Sequence, residues 1–172
     1  MTQELFFATD SIDGIILDVI VSTNGVREIL INKKQTPGYL ENTIQISPDD
    51  LKVSAVFKEL TEYFNRERKE FELELELEIF GSDFQKKVWK ELTKIPYGET
   101  ISYGELAIRM GDKNLMRAVA AANGSNPIPI IIPCHRVIGK DGSLTGYGGG
   151  LEVKKKLLEL EGSQTMDLFL SA

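Results

Sequence analysis

The spacing of apolar residues changes at Gly81-Ser82, and the change divides the chain into two parts that must be built differently. Before it, apolar residues form short β-branched runs or alternate with polar ones, the period of extended chain. After it, they recur every three to four residues, the period of helices. In the first part, Gly14–Val21 and Val26–Ile31 flank Ser22-Thr23-Asn24-Gly25, and Asn-Gly between two such runs signals a hairpin. With Leu5–Ala8 they predict a small antiparallel sheet. Ser47-Pro48-Asp49 reads as the cap of a helix running to about Arg66, burying Leu51, Ala55, Leu60 and Phe64. Phe71–Phe80 alternates strictly, which predicts a strand with its leucines buried and Glu72, Glu74, Glu76 and Glu78 on a solvated face.

In the second part, Ser82 or Asp83 can cap a helix over Phe84–Lys94 with an apolar stripe of Phe84, Val88, Trp89 and Leu92. Two short helices are expected at about Tyr103–Met110 and Asn114–Asn123, joined by Gly111-Asp112-Lys113. That is the length of a helix-turn-helix, although many plain helical hairpins share it. The small residues from Ala118 to Ala122 allow close approach, either to a neighbouring helix or to a nucleic-acid groove. Asn126–Pro133 reads as extended, because each proline disfavours helix at its predecessor. A glycine-rich loop, Gly142–Gly150, holds Tyr147, and a last helix spans about Leu151–Glu161, closed by Gly162. The expected class is α+β: a small N-terminal antiparallel sheet with a helix, then a helical C-terminal domain. The domains would be 1–80 and 81–162, followed by a tail at 163–172.

Composition narrows the function. Net charge is −6, yet residues 1–80 hold 16 acidic and 8 basic side chains, while residues 81–162 hold 9 acidic and 12 basic. An anionic partner would therefore meet the second part. No run approaches the ~18 apolar residues of a membrane span, and no signal pattern opens the chain, so a cytoplasmic protein with no membrane partner is expected. One cysteine and one histidine make neither an internal disulfide nor a Cys/His zinc cage. No metal and no cofactor are expected.

The lone cysteine, Cys134, adjoins the lone histidine, His135, and Arg136 follows. A free cysteine is most often a small buried hydrophobe. Two neighbouring positive charges would instead depress the thiol pKa from about 8.5 toward neutrality and make it a nucleophile. In extended chain Cys134 and His135 would point to opposite faces, so either the chain turns there or a water relays the proton. A carboxylate orienting the imidazole would complete the relay, and Glu161 is a candidate that spacing alone does not select.

Ile132-Pro133-Cys134-His135-Arg136-Val137-Ile138-Gly139 resembles the active-site signature of the O6-alkylguanine-DNA alkyltransferases. Phe84–Trp89, Ile95–Thr100, Ile101–Ala107, Arg117–Val119, Asn126-Pro127, Tyr147–Leu151 and Leu160–Gly162 resemble the same family in order. The resemblance implies a ribonuclease H-like N-terminal domain and a winged-helix-like DNA-binding domain acting as a monomer on double-stranded DNA. It implies single-use transfer of an alkyl group from O6 of guanine, and also from O4 of thymine, to Cys134. His135 would be the base acting through water, Glu161 its orienting carboxylate, and Asn126 a partner in the hydrogen bonding. Arg117 would fill the space left by a flipped-out base, with Ala118 and Ala121 in the minor groove. Tyr103 would crowd the phosphate and donate to the purine, and Tyr147 with Gly148 would line the base pocket. The chain departs from relatives that bind zinc through N-terminal Cys and His, and from those with a basic residue at Gly124-Ser125 or a bulky one in Gly148–Gly150. Competing readings are an alkyltransferase-like protein that binds alkylated DNA without transfer, a Cys–His hydrolase, and a transcriptional regulator.

Overall fold

In the computed structural model, residues 3–33 and 40–163 are described, and the chain divides into two compact units between Ile79 and Phe80. The expected tail falls outside these residues, apart from Ser163.

In the first unit, β1 (Leu5–Ile12), β2 (Ile15–Ser22) and β3 (Gly25–Ile31) form an antiparallel meander. The predicted hairpin is present, with Thr23 and Asn24 between its strands. The sheet is mixed, not purely antiparallel, because β4 (Thr43–Gln45) adds to the far edge parallel to β1. Three residues are too few to carry a readable period, which is why β4 escaped prediction. Helix α1 (Ser54–Phe64) packs against β1 and buries Val56, Phe57, Leu60 and Tyr63.

Two expectations fail in this unit. The helix begins at Ser54, because Ser47–Val53 is spent on successive turns closed by Asp50 N–H to Ser47 O and Val53 N–H to Asp50 O. Leu51 consequently sits on a turn at 95% exposure, and Ala55 is also exposed. Nor is Phe71–Phe80 a strand. It crosses β3 at one bridge, where Val26 donates to Glu74 O and receives from Glu76 N–H, both at 2.8 Å. Glu76 leaves the solvated row: it is buried, accepting from Ser22 Oγ at 2.6 Å and Asn24 Nδ2 at 3.2 Å. Those donors hold its carboxyl below the ordinary range despite the opposing effect of burial.

The second unit starts with α2 (Asp83–Leu92), where Ser82 and Gln85 form a reciprocal capping box. Trp89 is buried and donates its indole N–H to Ala122 O at 2.8 Å, tying α2 to α4 (Met116–Gly124). Between them lie β5 (Ile101–Ser102) and α3 (Tyr103–Arg109), the latter capped by the Ser102 hydroxyl. Asp112 caps the single 3-10 turn that leads into α4. β6 (Val137–Ile138) pairs in parallel with β5, and α5 (Leu151–Leu160) closes the unit. Leu92, Leu106, Ile128, Ile132 and Leu157 are fully buried in this unit, each worth roughly 1.5–3 kcal/mol of apolar burial.

Asn126–Pro133 is folded back rather than extended. Ile132 N–H donates to Ile128 O at 2.9 Å, and Ile130 takes a positive φ of 74°. That conformation is costly for a β-branched side chain. The Ile130 side chain is buried at 1% exposure, so packing offsets the strain. Asn126 locks the turn, donating from Nδ2 to Ile132 O at 2.8 Å and accepting Ile128 N–H on Oδ1 at 3.0 Å. Among the described residues, no helix is long and apolar enough to cross a membrane.

Candidate active site

The folded turn delivers Cys134 onto one turn of 3-10 helix, Cys134–Arg136, so the chain does turn at the Cys-His step. All three side chains are buried. His135 Nε2 lies 2.8 Å from Glu161 Oε1, at the C-cap of α5. Arg136 grips the same carboxylate from Nη2 to Oε1 and from Nε to Oε2, each at 2.9 Å, and its Nη1 donates to Ile95 O at 2.6 Å. Gly98 N–H adds a weak contact to Oε2 at 3.4 Å. The histidine and arginine hold the Glu161 carboxyl far below the usual carboxylate range against the pull of burial. An ionised Glu161 requires Nε2 of His135 to carry the proton. Burial, the largest influence, lowers the imidazole pKa against the hydrogen bond and charge of Glu161, with the charges of Arg136 and Lys154 adding to the lowering. Nδ1 is therefore a free base: it is buried and has no hydrogen-bond partner among the described residues.

The thiol does not behave as the Cys-His-Arg run led us to expect. Burial pushes Cys134 up to about 11. Arg136, expected to lower it, is turned to Glu161 and Ile95 instead. A hydrogen bond from Asn126, the charge of Lys154 and backbone hydrogen bonds lower it, and they are outweighed. Lys154 was missed in the sequence. It lies on the inner side of α5 with Leu157 and Leu158, fully buried, and donates from Nζ to Val137 O at 2.7 Å and Thr145 O at 3.1 Å. Burial draws its pKa down to about 8, while the Cys134 charge acts to raise it. Its position on the apolar face of a helix was the available signal, hidden inside Lys154-Lys155-Lys156.

A cavity of about 570 Å³ opens beside α4, lined among others by Tyr103, Met116, Arg117, Asn123, Tyr147 and Gly148. Arg117, Ala118 and Ala121 stand on the exposed surface of α4, and Arg117 is at the cavity's edge. Tyr103 donates its hydroxyl to Thr145 O at 3.1 Å. The Tyr147 ring is half-buried, but its hydroxyl is buried, without a partner among the described residues, and pushed well up by burial and by the charges of Cys134 and Glu161. Gly148 is exposed, with open space where a Cβ would stand. Cys134 does not line the cavity, but Asn123 connects the two, donating from Nδ2 to Cys134 O at 3.3 Å. Asn123 was also missed in the sequence. The structure thus brings Cys134, His135, Glu161 and Asn126 together, Tyr103, Arg117, Tyr147 and Gly148 line the cavity, and Ala118 and Ala121 lie on the exposed surface of α4.

Fold and site together define a protein with one buried thiol, a neutral histidine base beside it, and a cavity alongside a surface helix. The model of the 6-O-methylguanine DNA methyltransferase DNA binding domain matches residues 83–163, and that of the family's ribonuclease-like domain matches residues 19–77. A methylated-DNA–protein-cysteine methyltransferase of Mycobacterium tuberculosis is 55% identical over 118 residues, covering 69% of this chain and 70% of the relative. An inducible one of Bacillus subtilis is 41% identical over 167 residues, covering 95% of this chain and 88% of the relative. The crystal structure of Mycobacterium tuberculosis OGT in complex with DNA aligns with a TM-score of 0.79 at 40% identity, covering 95% of this chain and 99% of that one. The chain belongs to the 6-O-methylguanine DNA methyltransferase family.

Proposed function

We propose that this protein repairs DNA by direct reversal, moving an alkyl group from O6 of guanine onto Sγ of Cys134. The observation that carries the reading is the buried contact of His135 Nε2 with Glu161 Oε1 at 2.8 Å. An ionised Glu161 holds the proton on Nε2, which leaves Nδ1 as a buried acceptor on the residue that follows the chain's one cysteine. A thiol pushed up to about 11 needs such a base to become a nucleophile at neutral pH. The thiol proton passes to Nδ1 through water as the S–C bond forms and the O6–C bond breaks. The electron pair returns to the purine, which takes a proton at N1 and becomes ordinary guanine. Lys154 stabilises the transient thiolate, and Glu161 the imidazolium. Tyr103, freed from Thr145 O by rotation of its hydroxyl, donates to the departing purine.

A lesion inside a stacked duplex is out of reach, so the nucleotide must be extruded. In this reading α3 and α4 act as a helix-turn-helix, with Ala118 and Ala121 against the minor groove and Arg117 in the gap left by the base. The base enters the cavity beside Tyr147 and Gly148. The thioether product has no exit, because the chain holds no second thiol. Incubation with duplex containing O6-methylguanine should add ~14 Da to the Cys134 peptide, once per chain, as a covalent alkyl adduct. Several turnovers per molecule in a mass-spectrometric time course would sink the reading. Cys134→Ala should bind the duplex and transfer nothing.

A further inference from the structure

Asn123 holds a buried acceptor for which no described residue supplies a donor. The residue is 3% exposed, on the inner side of α4, and lines the cavity next to Tyr147. Its orientation is decided by chemistry: Cys134 O can only accept, so the group 3.3 Å from it is the amide nitrogen. The other end, Oδ1, is then buried with no hydrogen-bond partner among the described residues. A buried, unpaired amide oxygen is costly to maintain and calls for an occupant that supplies a donor. It also stands beside the reacting centre, since the same side chain is bonded to the carbonyl of Cys134.

We propose that Asn123 is a specificity-determining residue, whose Oδ1 accepts a hydrogen bond from the exocyclic 2-amino group of the alkylated guanine. This inference rests on the alkyltransferase reading above. Alkylation at O6 removes the proton from N1, so the 2-amino group is the one donor left on the pairing edge of the damaged purine. A thymine alkylated at O4 has no donor on that edge, because N3 has lost its proton and O2 only accepts. Placed in this cavity, it would leave Oδ1 unpaired. Asn123 therefore favours alkylguanine over alkylthymine, and O4 of thymine becomes a slow substrate.

The test is a cycle of two proteins and two lesions: wild type and Asn123→Leu, each on a duplex carrying O6-methylguanine or O6-methylhypoxanthine, which lacks only the 2-amino group. Single-turnover methylation of Cys134 is the readout, and differences in base pairing between the lesions cancel in the cycle. Wild type should be slower by about tenfold on methylhypoxanthine, the worth of one buried hydrogen bond. Asn123→Leu should lose about tenfold on methylguanine and little on methylhypoxanthine, so that it no longer discriminates. Equal losses on the two lesions, or no loss on methylguanine, would overturn the assignment. If circular dichroism shows that the leucine variant is unfolded, Asn123→Met serves the same comparison. Failure of wild-type protein to methylate Cys134 from methylguanine at all would instead defeat the underlying alkyltransferase reading.

Discussion

Glu161 meets His135 through Oε1 and Arg136 through both oxygens, so neutralising it strands both partners in the interior. Glu161→Gln should cost about 3–5 kcal/mol in urea unfolding at pH 7, the usual penalty for breaking a buried pair from one side. The pH dependence has a definite sign. The folded-state pKa of Glu161 is depressed, so its stabilisation is present above the unfolded value of about 4.3 and is lost as pH falls toward the folded value. Unfolding titrations should show a steeper acid loss for wild type than for the glutamine variant. Lys154→Met removes the one side-chain charge that lowers the thiol pKa and keeps the stem that fills the site. Alkylation of Cys134 by iodoacetamide at pH 8 should slow several-fold, because the rate follows the thiolate fraction. An unchanged rate would mean that Lys154 serves only Val137 O and Thr145 O. At this scale the sequence offered a candidate nucleophile but not its environment. Cys134, His135 and Arg136 are consecutive, yet whether Arg136 faces the thiol or Glu161 depends on a 3-10 turn that local spacing does not encode. Lys154 and Asn123 carried residue types that ordinarily stay in water, and only tertiary packing buried them.

The elements that could be read were those with a local signal: the hairpin of β2 and β3, the capping box opening α2, and the breakpoints around α3 and α4. The misread ones owe their form to distant partners. Phe71–Phe80 has the strongest alternation in the chain, but Gly25 and Val26 offer it only one bridge, and Ser22 with Asn24 draws Glu76 inward. Gly25 is essential to that crossing. It adopts a φ of 135°, and a Cβ there would stand 2.3 Å from Glu74 O. Gly25→Ala should destabilise the protein by roughly 1–3 kcal/mol in a thermal melt, the common range for backbone strain and steric clash. On α4, Arg117 separates two readings of a surface helix. If Arg117 fills the duplex, Arg117→Ala should slow repair of a paired methylguanine by about two orders of magnitude, a few kcal/mol of flipping energy. Transfer from free benzylguanine needs no flipping and should barely change. Equal losses on both substrates would assign Arg117 to the fold or the pocket instead.

The whole chain is acidic, but its first 80 residues carry the excess and residues 81–162 lean basic. Of the basic side chains in the second part, Arg136 and Lys154 are buried, while Arg109, Lys113 and Arg117 stand on the surface of α3, α4 and the turn between them. With Arg117 in the gap, phosphate contacts from Arg109 and Lys113 predict a slope of about −2 for the logarithm of duplex affinity against the logarithm of salt concentration. Fluorescence anisotropy over a salt series measures it, and a slope twice as steep would bring in further surfaces. The raised thiol pKa has one more consequence for a molecule that is spent in a single reaction. At pH 7 a thiol of pKa about 11 is ionised in on the order of one molecule in ten thousand. Peroxide attacks thiolates, and the ladder from sulfenic to sulfonic acid begins there. Burial thus gives the unused protein a long shelf life, because the sulfur stays protonated and slow to oxidise until, in the proposed reaction, His135 draws off its proton.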